Sequence, residues 1–460
     1  MKMIPQDVTD LHDFIALLEE RDELRRITVE VDPVEEIAAI TDRVCKGAAG
    51  RRALLFEKVR GHQVPVLTNL FGSTRRAAWA IGLEEADQLH GRLSDELLRF
   101  AGDSAAHRLC RLLAEPQWQP RQVNEGPCRE VVVADPDLTL LPALKSWPGD
   151  GGRFLTQPLI FTRDPETGQR NCGIYRAQLF DRRSLALHWR AGSGGARHHD
   201  AWQRRNQPMP VAIALGGDPA AIYAASAPLP DGADELSLAG FLRRRPLETV
   251  VCLTSDLEVP ATAEFVIEGL VYPGESRQEG PFGNHTGGYD ASSPAAVLHV
   301  TALSHRFHPL YPATIAGPPP MESGYLAKLG EPLLLAMLQI DFPLIADIHM
   351  PVETIFHGAT LLSIHPGGVP VPELVRQLWR WGPLQKARLL VVFDGEVDIR
   401  NIGSCYWRMI NRLRPERDLL IDKGRLAIDA THCEEFKPVV VATDVRERIS
   451  RRWREYGLEL

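Results

Sequence analysis

Cys172-Gly-Ile-Tyr-Arg-Ala-Gln-Leu-Phe180, then Asp181-Arg-Arg-Ser184, then Leu185-Ala-Leu-His-Trp-Arg190 is the most informative stretch of this chain. Two runs rich in apolar and aromatic side chains flank a short polar segment, the pattern of two strands joined by a turn. Similar runs surround it, at 155–162, 211–215, 250–254, 263–271 and 297–304. Few helices fit between them, so residues 123–315 are expected to form a β-barrel or sandwich-like domain.

On either side, helix and strand alternate. Thr9 or Asp10 caps a helix whose Leu11, Phe14, Ile15 and Leu18 share one face. Leu24-Arg-Arg-Ile27-Thr-Val29-Glu-Val31 alternates with period two, as a half-buried strand does. Ile37, Ile40 and Val44 suggest a second helix, and 53–56 and 64–70 further strands. Residues 1–115 therefore read as a small α/β domain. Residues 115–122, with two prolines and a tryptophan, read as a linker. After Pro318-Pro319-Pro320, helices at 322–338 and 371–381 and strands at 354–365 and 389–393 make 320–440 a second α/β domain. In 441–460, Val445, Ile449, Trp453 and Tyr456 form one stripe of a terminal helix. Such a stripe must pack on its own domain or on another subunit, and a homo-oligomer is the expectation.

Composition narrows the function. The chain has 460 residues, more than one core usually holds, since single domains stop near ~250–300 residues. Lys and Arg number 52 against 60 Asp and Glu, a net charge of −8. That balance argues against nucleic acid, whose binders carry a basic excess. The longest apolar runs (210–217, 333–338 and 438–443) fall far short of the roughly 20 residues that span a bilayer. The first thirty residues lack the apolar segment of a signal peptide, so a cytoplasmic protein with no membrane span is expected. Seven scattered cysteines without a C-x-x-C pair support neither a zinc ribbon nor a disulfide scaffold.

Several stretches carry candidate chemistry. In Asn171-Cys-Gly-Ile-Tyr-Arg176, an arginine sits among apolar strand neighbours. It is costly to bury there unless it meets an anionic ligand or a nearby carboxylate. Glu279-Gly-Pro-Phe-Gly-Asn284-His-Thr-Gly-Gly288 is either a simple turn or a loop whose backbone closely approaches a ligand. Glu264 and Glu268 lie four apart on a strand and share a face, as paired or solvated carboxylates do. Ala214-Leu-Gly-Gly-Asp-Pro219 offers amides to a phosphate but lacks the Lys-Ser/Thr of a P-loop. His198 and His199, read on a strand, point opposite ways and are expected at the surface.

Taken in order, these blocks resemble the UbiD-type decarboxylases, relatives of 3-octaprenyl-4-hydroxybenzoate carboxy-lyase. The matching blocks are Leu24-Arg-Arg-Ile-Thr-Val29, Val66-Leu-Thr-Asn-Leu-Phe-Gly72, Asn171–Arg176, 214–219, Asp256-Leu-Glu-Val-Pro-Ala261 and Glu279-Gly-Pro-Phe-Gly283. The resemblance implies an N-terminal α/β domain, a middle split β-barrel like that of flavin reductases, and a C-terminal α/β domain. It also implies a terminal helix that packs on a partner subunit. The implied cofactor is prenylated FMN, supplied by a flavin prenyltransferase and held through its phosphate by a divalent metal (Mn or Mg) and potassium. The implied reaction is reversible, non-oxidative loss of carbon dioxide from an aromatic or α,β-unsaturated carboxylic acid. Decarboxylation leaves electron density on carbon, for which the cofactor ring is a sink. Carried onto this chain, Arg176 matches the residue that binds the carboxylate, and Glu279 the one that orients it. Asn171 and Glu235 match metal ligands. Asn171, Gly173, Ile174, Tyr175, Arg176, Ala177 and Glu235 match cofactor-binding positions.

Two positions depart from that pattern. The family places a second acid five residues after the glutamate as a general acid, and this chain has Asn284, whose amide delivers no proton. The family's metal-ligating histidine falls on Gly192, which weakens the metal site. His188 lies on the same strand face roughly 13 Å away. Three readings stay open: a carboxy-lyase, a UbiD-like protein serving as a non-decarboxylating subunit or ligand-binding module, or the same cleft with another flavin.

Overall fold

Asp10 does cap the first helix, Leu11–Glu20, accepting a hydrogen bond from the Asp13 backbone N–H. The expected apolar face, Leu11, Phe14, Ile15 and Leu18, is buried. The computed structural model describes residues 3–47, 51–355, 358–431 and 439–457. The helix packs beside a sheet formed by β1 (Leu24–Val31), β2 (Ala53–Val59) and β3 (Val66–Thr68). Strand β1 runs parallel to β2 at the sheet edge and buries only its ends, Leu24 and Val31. Its alternation is that of an edge strand rather than a half-buried one.

The middle sheet contains β4 (Phe154–Leu155), β5 (Pro158–Arg163), β6 (Arg170–Ile174), β7 (Ala177–Leu179) and β8 (Ser184–Leu187). It continues with β9 (Met209–Leu215), β10 (Phe265–Glu279) and β11 (Ser293–His305). The hydrogen-bonded order is β4-β7-β8-β11-β10-β9-β5-β6, every pairing antiparallel, with Val131–Val132 added to β11. The order is open, and among the described residues no pairing closes it into a barrel. Chain connectivity nevertheless forces it to roll. Only Tyr175 and Arg176 separate β6 from β7, yet these strands stand six places apart. On a flat sheet that is about 29 Å, whereas three residue steps reach at most about 11 Å. The short link from β4 to β5 imposes the same constraint. The sheet therefore curls, bringing the end of β6 near the start of β7 at Tyr175 and Arg176.

Helices do interrupt the middle segment, contrary to the sequence reading. Gly194–Arg204 begins at a Ser193 cap, and Pro219–Ala224 has proline in its first turn. Glu235–Arg243 is capped by Asp234. Its apolar residues bury almost all round, which hides helical periodicity. His198 and His199 lie on the first of these helices, not on a strand, and His198 is buried against the Thr162 hydroxyl (2.8 Å) rather than at the surface. The segment also returns β12 (Tyr311–Ala313) to the N-terminal sheet, parallel to β3.

Beyond it, β13 (Ile345–His349), β14 (Ala359–Ile364), β15 (Leu389–Asp394), β16 (Leu419–Asp422) and β17 (Arg425–Ala430) form a sheet in the order β13-β14-β15-β17-β16. Its three central strands are parallel. The single helix expected at 322–338 is two, Glu322–Lys328 and Gly330–Asp341. The terminal helix, Thr443–Arg452 with a tighter turn at Trp453–Tyr456, buries no residue. The six described cysteines are unpaired, and Cys433 lies outside the described residues. No described helix is long and apolar enough to cross a membrane.

Candidate active site

The β7–β8 turn sets the register of the site. The Phe180 N–H donates to the Ser184 carbonyl (3.0 Å), and the Ser184 hydroxyl donates to Asp181 Oδ2 (2.6 Å). Leu187 then pairs with Ala177, and the next residue, His188, sits opposite Arg176, its N–H on the Arg176 carbonyl at 3.3 Å. Glu279, at the end of β10, comes to the same place. Arg176 Nε donates to Glu279 Oε1 (2.7 Å) and Nη2 to Oε2 (3.1 Å), a two-pronged pair. His188 Nδ1 lies 3.1 Å from Glu279 Oε2 and 3.2 Å from Arg176 Nη2. The guanidinium stands 4.6 Å over the Phe282 ring. Glu279 is fully buried and the Arg176 side chain 12% exposed. Burial opposes ionisation of Glu279, but hydrogen bonds from His188 and Arg176 outweigh it and hold its pKa below the ordinary range.

The Glu279–Gly288 loop is a small hairpin, with Phe282 opposite Asp290 and Gly283 opposite Tyr289. Gly280 has φ +86°, a conformation that favours glycine. Its N–H donates to Gln178 Oε1 (2.8 Å), two residues along β7 from Arg176. Gly283 donates to Asp150 Oδ1 (2.7 Å). The first strand of the hairpin is thus tied to β7 through Gly280 and to Asp150 through Gly283. Asn284 Oδ1 accepts from the N–H and hydroxyl of Thr286 (2.7 and 2.6 Å), while its Nδ2 donates to Asp290 Oδ1 at 2.5 Å. Asp290 Oδ2 accepts from Arg176 Nη1, also at 2.5 Å. An acid therefore stands beside Arg176 although position 284 carries an amide.

Asn171 and Glu235 approach the same strand. Glu235, first residue of its helix, accepts from the Cys172 N–H through Oε2 (3.1 Å). Burial pushes its carboxyl up to about 8. Asn171 Nδ2 and Trp189 Nε1 are buried without hydrogen-bond partners. Gly173 leaves room for the Tyr175 ring, which a Cβ there would meet at 2.5 Å, and Tyr175 Oη accepts from the Gly195 N–H (3.3 Å). Ile174 and Ala177 flank this pair, in register with Leu159 and Leu187. The glycine against Asn171 is Gly194, where a Cβ would lie 1.9 Å from Oδ1. Gly192, with φ +75°, has nothing within 4 Å of such a Cβ. Among the described residues, no group of three or more His, Cys, Asp or Glu is placed to hold a metal ion.

Other sequence candidates are structural. Glu264 accepts from Arg306 Nη1 (3.3 Å) and the Leu310 N–H (3.0 Å). Glu268 accepts from the N–H groups of Leu253 and Thr254. Gly216 packs against Glu264 and Leu11, and Asp218 is buried on Arg243, so the 214–219 loop presents no open phosphate seat. A cavity of about 1090 Å³ opens between the N-terminal and middle sheets, lined by His12, Arg26, His62 and Phe307 among others, and contains none of the residues around Arg176. Sequence reasoning weighed His188 only against the metal position and missed its place beside Arg176, and it missed Asp290 altogether. The turn register signalled the first, and nothing in composition marks the second.

With this geometry in hand, comparison with known proteins is decisive. Residues 15–95 match the 3-octaprenyl-4-hydroxybenzoate carboxy-lyase N-terminal domain, 121–319 its Rift-related domain and 324–435 its C-terminal domain. The chain belongs to the UbiD family. An uncharacterised protein of Archaeoglobus fulgidus is 40% identical over 418 residues, 90% of this chain and 86% of that one. Among solved structures, an evolved dimeric form of the UbiD-class enzyme HmfF from Pelotomaculum thermopropionicum, in complex with prFMN, has a TM-score of 0.82 and 30% identity. The alignment covers 95% of this chain and 98% of that one. HmfF in complex with FMN gives 0.80 and 27%, covering 96% and 99%. The UbiD fold of this chain is thus shared along almost its full length.

Proposed function

We propose that this chain is a reversible, non-oxidative carboxy-lyase acting on an aromatic or α,β-unsaturated carboxylic acid with prenylated FMN. The observation that carries this reading is the buried two-pronged pair of Arg176 and Glu279 at the seam of the rolled sheet. Among the described residues, Arg176 gives its Nε and one Nη2 hydrogen to Glu279 and one Nη1 hydrogen to Asp290. A second Nη1 hydrogen remains for the substrate carboxylate. Glu279 fixes the guanidinium plane and tempers its charge, so the carboxylate is positioned without being held more tightly than the transition state. Phe282 supplies an apolar wall beside it. When bound, the cofactor supplies the electron sink for the carbon that loses carbon dioxide.

The residues at Asn171 fit a phosphate-linked cation in part. The orphaned amide and indole N–H groups, and a carboxyl that desolvation holds above its ordinary range, are what such a group would satisfy. Asn171 and Glu235 would hold Mn or Mg with water completing the shell, and potassium beside it, since among the described residues no group of three His, Cys, Asp or Glu is placed to do so. We further assign the rolled sheet as a split β-barrel within domains 1–115, 123–315 and 320–440. The terminal helix of 441–460, which buries no residue over Thr443–Tyr456, would dock on a second subunit of a cytoplasmic homo-oligomer.

Co-production with a flavin prenyltransferase, native extraction of the ligand for mass spectrometry, and carbon dioxide release from hydroxybenzoic and cinnamic acids test the reading. Modified flavin and gas release are expected. Protein that carries no flavin and takes none up overturns it. Unmodified FMN without turnover favours the non-decarboxylating alternative, which Asn284 motivates.

A further inference from the structure

The loop brings an unassigned acid to Arg176, and we propose that Asp290 is the group that gives the proton to the substrate carbon, with Asn284 positioning it. The inference rests on the carboxy-lyase reading and deepens it. Asp290 Oδ2 meets Arg176 Nη1 and Oδ1 meets Asn284 Nδ2, both at 2.5 Å. Asn284 is itself pinned by two hydrogen bonds from Thr286, so its amide presents a donor to Asp290. A carboxylate at 284 would instead repel Asp290. The asparagine that looks like a lost acid is therefore the partner that suits an acid six residues later.

Charge leads to the same assignment. Glu279 and Asp290 bring two carboxylates to one guanidinium, and a substrate carboxylate is a third. A third carboxylate docking here favours the uptake of a proton by one of these groups. Glu279 is fully buried and held by Arg176 and His188. Asp290 is 43% exposed, so it exchanges protons with water. The other groups facing this corner are His285, which burial keeps from protonating against the pull of Asp290, and Arg190, which adds to that burial effect.

The step balances without another reagent. The bond from carbon to carboxylate breaks, carbon dioxide leaves, and the electron pair stays on the carbon. The Asp290 O–H bond breaks and that pair forms the new C–H bond. Asp290 is left as a carboxylate and recovers its proton from water. In the carboxylating direction, the same oxygen accepts the proton.

Benzoate, an aromatic carboxylate, is the probe. Calorimetry of the holoenzyme in two buffers of different ionisation heat reads protons taken up per benzoate bound. The wild type is expected to take up close to one proton near neutral pH. Asp290→Asn is expected to bind benzoate at least as tightly, which shows an intact site, and to take up none. Its carbon dioxide release should fall at least ~100-fold, the usual scale of general-acid catalysis. Proton uptake that persists in Asp290→Asn, or turnover at the wild-type rate, overturns the proposal. A wild type that releases no carbon dioxide yet shows uptake abolished by Asp290→Asn overturns the carboxy-lyase reading instead and keeps Asp290 as the proton-holding group.

Discussion

Asn284→Asp isolates the electrostatics of this corner. It replaces the donor 2.5 Å from Asp290 Oδ1 with a second acceptor, while an aspartate oxygen preserves both hydrogen bonds from Thr286. The turn survives, and the cost is charge repulsion. Two unit charges about 4 Å apart repel by about 1 kcal/mol in water and about 4 kcal/mol at an effective dielectric of 20. With Asp290 43% exposed, about 2 kcal/mol is a fair figure after solvent screening. The folded variant escapes this by keeping one proton on the pair, which the unfolded chain releases. An acid that holds its proton more tightly when folded loses stability as pH rises. Variant and wild type should therefore unfold closer together at about pH 4, where the unfolded chain also keeps about one proton on the two carboxyls. At pH 8 the variant should melt about 4–8 °C lower, the equivalent of ~2 kcal/mol in a domain of this size. Differential scanning calorimetry at the two pH values reads the gap, and infrared spectroscopy at pH 7 should show an added protonated carboxyl. An equal loss at both pH values would mean altered packing, and no loss at either would mean that the two side chains do not face each other.

Other perturbations probe the neighbouring parts. Arg176→Lys removes the two-pronged fork on Glu279 and should weaken benzoate binding at least ~10-fold, about 1.4 kcal/mol, by calorimetry; unchanged affinity would remove Arg176 as the anchor. Glu322 lies buried at a helix start with Oε1 on the Phe71 N–H (2.8 Å), and burial pushes its carboxyl up to about 7. Raised above the ordinary 4.5, it costs nothing below about pH 4.5 and up to about 3 kcal/mol above pH 7. Glu322→Gln should therefore flatten the decline in melting temperature between those values, and an unchanged pH slope would contradict this. Gly194→Ala puts a Cβ 1.9 Å from Asn171 Oδ1. It should lower flavin occupancy in co-produced protein with little change in melting temperature, and full occupancy would detach Asn171 from the cofactor.

How much of this was legible in the sequence depends on the range of each signal. Arg176 stood out because a charged side chain among apolar strand neighbours has few acceptable environments, and the block order supplied Glu279 as its partner. His188 was legible in principle, since the turn at Asp181–Ser184 carries the register one step beyond Leu187 to the residue opposite Arg176. It was weighed instead against a metal role, because distance along one strand says nothing about what lies across it. The helices Gly194–Arg204 and Glu235–Arg243 were missed for opposite reasons, one too polar and glycine-rich to show a face and the other buried nearly all round. Asp290 was not legible at all. Its place depends on the Phe282–Asp290 pairing across a glycine-rich tip, where composition leaves the register unspecified. Position 284 alone reads as a lost proton donor, whereas the folded hairpin shows an amide and a carboxylate facing each other beside the guanidinium. A site judged one residue at a time can look disabled when its acid has only moved to the opposite strand, and the charge inventory of the assembled corner is the better criterion of whether such a site can still work.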